Sequence, residues 1–289
     1  MGLFNIWKKK AEEQKPHIDV ASAVRNMLDK NGYSYENDGN MFALSLSGKH
    51  ADFKTGLTCE ANKLVVYAIA PMPVPEHVHI PISFEINRIN KENPDITIIL
   101  NDHSDTATLG AISEKTFSSE PTAEELQITI LHPMDVLDSY FSSLMCAIFG
   151  VTTDEELKQR MLSSSAAEDT KDNSVIFQVK DPYHDALDQS EGISSPRFGG
   201  RLLALAIHII ENRISKTFAN KLLTNQTEYT DIIQTAYNVG NAEERNLIRK
   251  LAFLINEKRT TTDNQAEEFV GRMEGMSMAA NDNLLKNNT

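Results

Sequence analysis

A few groups of residues in this chain have types and spacings that could carry chemistry. His77-Val78-His79 would set two imidazoles on one side of an extended segment, as two ligands of a metal site would lie, but no third ligand is forced nearby. Asp181, His184 and Asp185 gather two acids and an imidazole around a Pro-Tyr stretch, a set that suits a metal or an acid–base pair. Solvated loop histidines are the commoner reading of both groups. Arg197 and Arg201 flank Gly199-Gly200 at the start of a predicted helix, where free N–H groups and guanidinium groups could receive an anion. Neither Gly-x-x-x-x-Gly-Lys nor Gly-x-Gly-x-x-Gly is present, so a phosphate loop is not indicated. Ser194-Ser195 lack a nucleophile elbow and a nearby base, and His208 falls on an apolar stripe where a satisfied core or rim histidine is the ordinary outcome. No catalytic residue, cofactor or metal ligand is therefore assigned. The enzymatic alternative left open is a metal- or anion-dependent reaction in the 181–201 loop.

Composition narrows the classes further. The chain has 289 residues, of which 40% are hydrophobic, which is enough for a substantial core. The net charge of −13 is shared between the halves: 12 basic and 20 acidic residues up to Gly150, then 16 and 21. Phosphate neutralisation needs clustered Lys and Arg, so nucleic acid is disfavoured as a partner. Cys59 and Cys146 read as free thiols on a strand and an apolar helix, with no disulfide framework. No run reaches the ~18 to 20 apolar residues of a membrane span, and no secretory leader pattern appears, so the cytoplasm is the expected location. Leu3, Phe4, Ile6 and Trp7 precede Lys8-Lys9-Lys10, a composition that could make weak peripheral contact with a membrane through residues 3–10.

The elements that must position these residues are legible from periodicity. Val20, Val24, Met27 and Leu28 predict a first helix stopped at Asn31-Gly32. Met41 to Ser47, Asp52 to Glu60 and Lys63 to Ala70 read as an antiparallel three-stranded meander, followed by a proline-rich extended connector from Pro71 to Pro75. Pro81 opens a second helix with Ile82, Ile86 and Ile89 on one face, ending near Asn93 before Pro94, where Asn can take a left-handed cap. Ile96 to Leu100 and Thr106 to Ile112 predict a hairpin joined through Asn101 to Asp105. Thr122 and Glu125 form a capping box for a long helix whose apolar face runs from Leu126 to Ile148, kinked at Pro133. Thr153 and Glu156 cap another helix through Leu162. Residues 163–173 read as a linker and Ser174 to Val179 as a lone strand. Three helices after Gly200 suggest a small bundle, and the chain from Thr261 onward is expected to fray.

The fold class is thus α+β: an antiparallel sheet flanked by helices in the order α-β-β-β-α-β-β-α, followed by a small helical domain. The domain expectation is a flexible segment over 1–16, an α+β domain over 17–162, the linker 163–173, a helical domain with one leading strand over 174–260, and a frayed tail over 261–289. Between Ile18 and Gly150 this order resembles the type III secretion chaperone-like fold, and in particular the YbjN-like bacterial sensory transduction regulator family, best from Ile82 to Phe141. The resemblance implies a non-enzymatic, chaperone-like or regulatory module that binds a protein or peptide partner and forms a homodimer. It offers no catalytic residues to carry over. Ile82, Ile86, Ile89, Ile98 and Leu100 are the interaction surface it would use, with Arg197 and Arg201 as a separate anion-binding candidate.

Overall fold

The computed structural model describes residues 18–101, 107–165, 182–258 and 265–280. Helix α1 (Val20–Lys30) starts where the Asp19 carboxylate accepts from the Ser22 N–H, and buries Val20, Val24, Met27 and Leu28. Strands β1 (Tyr35–Asp38), β2 (Met41–Ser47), β3 (Asp52–Glu60) and β4 (Lys63–Val74) then form a meander. The sequence pattern does not reveal β1, because Tyr-Glu-Asn-Asp has no apolar alternation; Gly39, at φ +60°, turns it back onto β2. Helix α2 (His79–Glu92) precedes β5 (Thr97–Asn101) and β6 (Ala107–Thr116), which complete a six-stranded antiparallel sheet in the order β1-β2-β3-β4-β6-β5. The hairpin joining β5 and β6 is as expected, and most of its turn lies outside the described residues.

Three differences from the sequence reading have local causes. The proline connector does not leave the sheet: β4 continues through Pro71 and Pro73, pairing with β6 across a register shift between Ile69 and Pro73. Beyond Ile69 no pairing with β3 remains, so the missing proline N–H groups fall where the ladder is already one-sided. Asn93 ends α2 at φ −128° rather than in the left-handed region, with its N–H donating to Ile89. Helix α3 (Ala123–Ser139) runs through Pro133 and ends at Tyr140, after which α4 (Phe141–Phe149) begins. Buried Leu126, Ile130, Met134 and Leu137 hold both sides of the proline against the sheet, so one lost hydrogen bond does not end the helix.

The core lies between one face of the sheet and helices α1, α2 and α3. Phe53, Leu57, Leu64, Val66, Ala68, Leu109 and Ala111 point into it, as strand alternation requires. Asp138 at the end of α3 ties down the β2–β3 turn by accepting from the Lys49 and His50 N–H groups, both at 2.8 Å. On the opposite face, Val65, Tyr67, Ile69, Ile99 and Ile112 are half-buried.

The second half is helical. Helix α5 (Asp154–Ser165) begins at the expected Thr153–Glu156 cap. The 163–173 linker and the Ser174 to Val179 strand fall almost wholly outside the described residues. Helices α6 (Pro182–Asp188), α7 (Ser195–Arg213), α8 (Lys216–Thr224), α9 (Tyr229–Val239) and α10 (Ala242–Glu257) follow, the last with a capping box between Asn241 and Glu244. Residues Gln265–Ala280, expected to fray, form α11, which lies along α7. The cause is glycine. A Cβ on Gly275 would sit 2.6 Å from the Ala204 Cβ, and one on Gly200 would meet the backbone of α11, so the axes approach more closely than side chains would allow.

Candidate functional site

The two halves meet on a buried polar cluster. Glu85, on α2, is fully buried and shares the face of Ile82 and Ile89. Its Oε1 accepts from Arg88 Nη2 at 2.6 Å and from the Ser143 hydroxyl, and its Oε2 accepts from the Tyr237 hydroxyl at 2.7 Å. Tyr237, on α9, in turn accepts from Arg249 Nη1 at 2.8 Å, and Arg249 Nη2 reaches the Val151 carbonyl and Asn246 Oδ1. Burial alone would raise the Glu85 carboxyl, but the Arg88, Ser143 and Tyr237 donors and the Arg88 charge outweigh it and hold the group below its ordinary range. Burial also pushes the Tyr237 hydroxyl up. Tyr237 therefore stays protonated between a carboxylate and a guanidinium. The Phe84 ring stacks on Tyr237 with centroids 5.5 Å apart, and Gln234 bonds the Phe84 carbonyl, so α2 and α9 are joined by polar and apolar contacts alike. This is a structural latch: both Glu85 oxygens are satisfied from within the chain, and of the buried Arg249 guanidinium only Nε is left without a hydrogen-bond partner.

The residues singled out from the sequence fall in different places. Ile82, Ile86, Ile89 and Ile98 are buried, and Leu100 packs against the same core from its edge. The face proposed for pairing is thus turned into the chain's own core, where α2 packs on α4 and β5 of its own half as well as on α10 and α9 of the second. Arg197 and Arg201 do meet an anion, the Glu274 carboxylate of α11, with Nε distances of 2.9 and 3.0 Å. They lie beside Gly199-Gly200 in the first two turns of α7, which begins at Ser195, and it is an acid of the chain itself that they hold.

His77 does not face His79 as a ligand pair. Its ring packs edge-on against His184, with centroids 4.8 Å apart, while His79 Nε2 lies 3.3 Å from the Val74 carbonyl. Both His77 and His184 rest on Phe253. Asp181 lies outside the described residues, and among those described no three His, Cys, Asp or Glu side chains are gathered as a metal site. Ser194 donates to Glu267 and Ser195 to the Ile255 carbonyl, so neither hydroxyl is set against a histidine. His208 lies 2.9 Å from Asn212 one turn along α7.

What the sequence reading missed is the outer face of α11. Gly271 and Gly275 point toward α7, and Phe269, Met273 and Met276 point away from it, 64%, 53% and 61% exposed. Val270 and, on the neighbouring α9, Tyr229 extend this apolar surface. Arg272 joins the two helices by bonding the Tyr229 hydroxyl and Glu268. Both methionines were visible in the sequence; the spacing of Phe269, Met273 and Met276 by four and three is the signal that would have assigned them to a helix face.

No family model and no curated protein matches the chain. Among solved structures, the crystal structure of YbjN from E. coli is similar to it, with 18% sequence identity and a TM-score of 0.34, over 41% of this chain and 85% of that one. A likeness of that size is too slight to assign a fold family or a function. Among the described residues no helix is long and apolar enough to cross a membrane.

Proposed function

We propose that this chain is a non-enzymatic protein-binding module that pairs with a second copy of itself through the outer face of α11. The observation that carries the reading is the exposed row of Phe269, Met273 and Met276. Large apolar side chains at spacings of four and three along one face are what one helix of an interhelical seam presents, and an identical helix presents the same row in return. Charge favours a like partner there. On a chain of net charge −13, two copies would ordinarily repel, yet the acids bordering this face are already neutralised: Glu268 by Arg272, and Glu274 by Arg197 and Arg201. Methionine suits such a surface because its flexible thioether fills an irregular partner face.

Light scattering on the full chain tests this. The expected result is a mass twice that of the monomer at micromolar concentration, and a monomer after Phe269→Lys and Met273→Lys together. A wild-type protein that stays monomeric across that range, or a double variant that still pairs, would remove the reading.

A further inference from the structure

Helices α5, α6, α7 and α10 line a partly open cavity of about 260 Å³. Its apolar wall is built by Ile193, Phe198, Leu251 and Leu254, and its charged groups are Arg160, Arg201, Lys250 and Asp185. Three cations against one acid is an unusual balance in a protein this acidic. Arg201 is committed to Glu274, whereas among the described residues Lys250 makes no ion pair. Burial and the adjacent Arg249 guanidinium hold the Lys250 amine below its ordinary range, while Glu156 and Asp185 pull the other way without closing on it. An anion placed in the cavity would relieve both effects, pairing with Lys250 and offsetting its repulsion from Arg160 and Arg249.

We infer that this cavity binds a small organic anion, its charged head held by Lys250 and Arg160 and its apolar body against Phe198, Leu251 and Leu254. The volume lies just under the ~300–1,000 Å³ of ordinary ligand sites, so the body is short. The site is separate from the α11 face, and its test does not depend on whether the chain pairs.

Titration of the full chain with hexanoate, phenyl phosphate and inorganic phosphate, followed by ligand-observed NMR and calorimetry, decides it. Hexanoate and phenyl phosphate are expected to bind and to displace each other. Lys250→Gln and Arg160→Gln should each weaken them by about tenfold or more, with helical circular dichroism unchanged. Arg25→Gln, on distant α1, should leave binding unchanged. Methyl hexanoate binding as tightly as hexanoate would overturn the anionic head, and inorganic phosphate binding as tightly as phenyl phosphate would overturn the apolar body. Absence of saturable binding up to about ten millimolar, or full binding by both cavity variants, would overturn the site itself.

Discussion

The Tyr237 hydroxyl donates to Glu85 Oε2 at 2.7 Å, joining a helix of the sheet-bearing half to one 152 residues further along the chain. Both residues are fully buried, so the bond is made where water cannot replace it.

Removing that hydroxyl should loosen the junction between the halves. Tyr237→Phe keeps the ring stacked on Phe84 but leaves Glu85 and Arg249 each short of a partner, so a loss of about 1–3 kcal/mol is expected in urea unfolding. A change of less than about half a kcal/mol would mean the cluster contributes little.

The same cluster shows where sequence reading stops. Val20 to Leu28, the β2–β3–β4 alternation and the Thr122, Thr153 and Asn241 caps each write their element into a short window, and the structure has all of them. Glu85 lay on the Ile82–Ile89 face and Arg249 among Leu247, Ile248 and Leu251, so their burial was hinted at by position, but their partner could not be named without the fold. The face itself looked like a docking surface because a short window of sequence shows its apolar row but not the elements that bury it. Helix α11 was hidden for a different reason: its contact with α7 is made by glycines, which carry no apolar periodicity.

Glycine substitutions should therefore act oppositely on one helix. Gly199 in α7 has open space where a Cβ would go, so Gly199→Ala should stabilise the chain by about 0.5–1 kcal/mol through helix propensity. Gly200, its neighbour, faces the α11 backbone, and Gly200→Val should cost about 1–3 kcal/mol or detach α11. Chemical denaturation of the two variants checks the sign of each; equal effects would mean that α11 does not pack as described.

Acid should release α11 before the sheet. The Arg197 hydrogen bond, helped by that of Arg201 and by both charges against a smaller burial effect, holds the Glu274 carboxyl at about 2, from an ordinary value of 4.5. A depressed carboxyl contributes stability that is full above the unfolded value and is lost as pH falls through the folded one. The window is therefore from about pH 4.5 down to about pH 2. Hydrogen exchange, corrected for its intrinsic pH dependence, should show α11 amides losing protection across that window. In Glu274→Gln the acid-dependent step should vanish. Unchanged protection of α11 in acid would sink the assignment.

The two thiols should be inert in the folded chain. Cys59 lies within the sheet core, and Cys146 faces the Thr153 carbonyl from α4, with its sulfur 3.8 Å from that oxygen. Burial pushes each thiol up to about 11, with neighbouring acids adding to it, so the thiolate that attacks a disulfide reagent is scarce near neutral pH. Ellman's reagent at about pH 8 should modify both sites only as fast as the protein opens, and at once in denaturant. Since Cys146 is the less buried of the two, it should react first when the halves are loosened by Tyr237→Phe, while Cys59 waits for the sheet to unfold. Rapid labelling of either thiol in the native wild type would contradict the packing around α4 and β3.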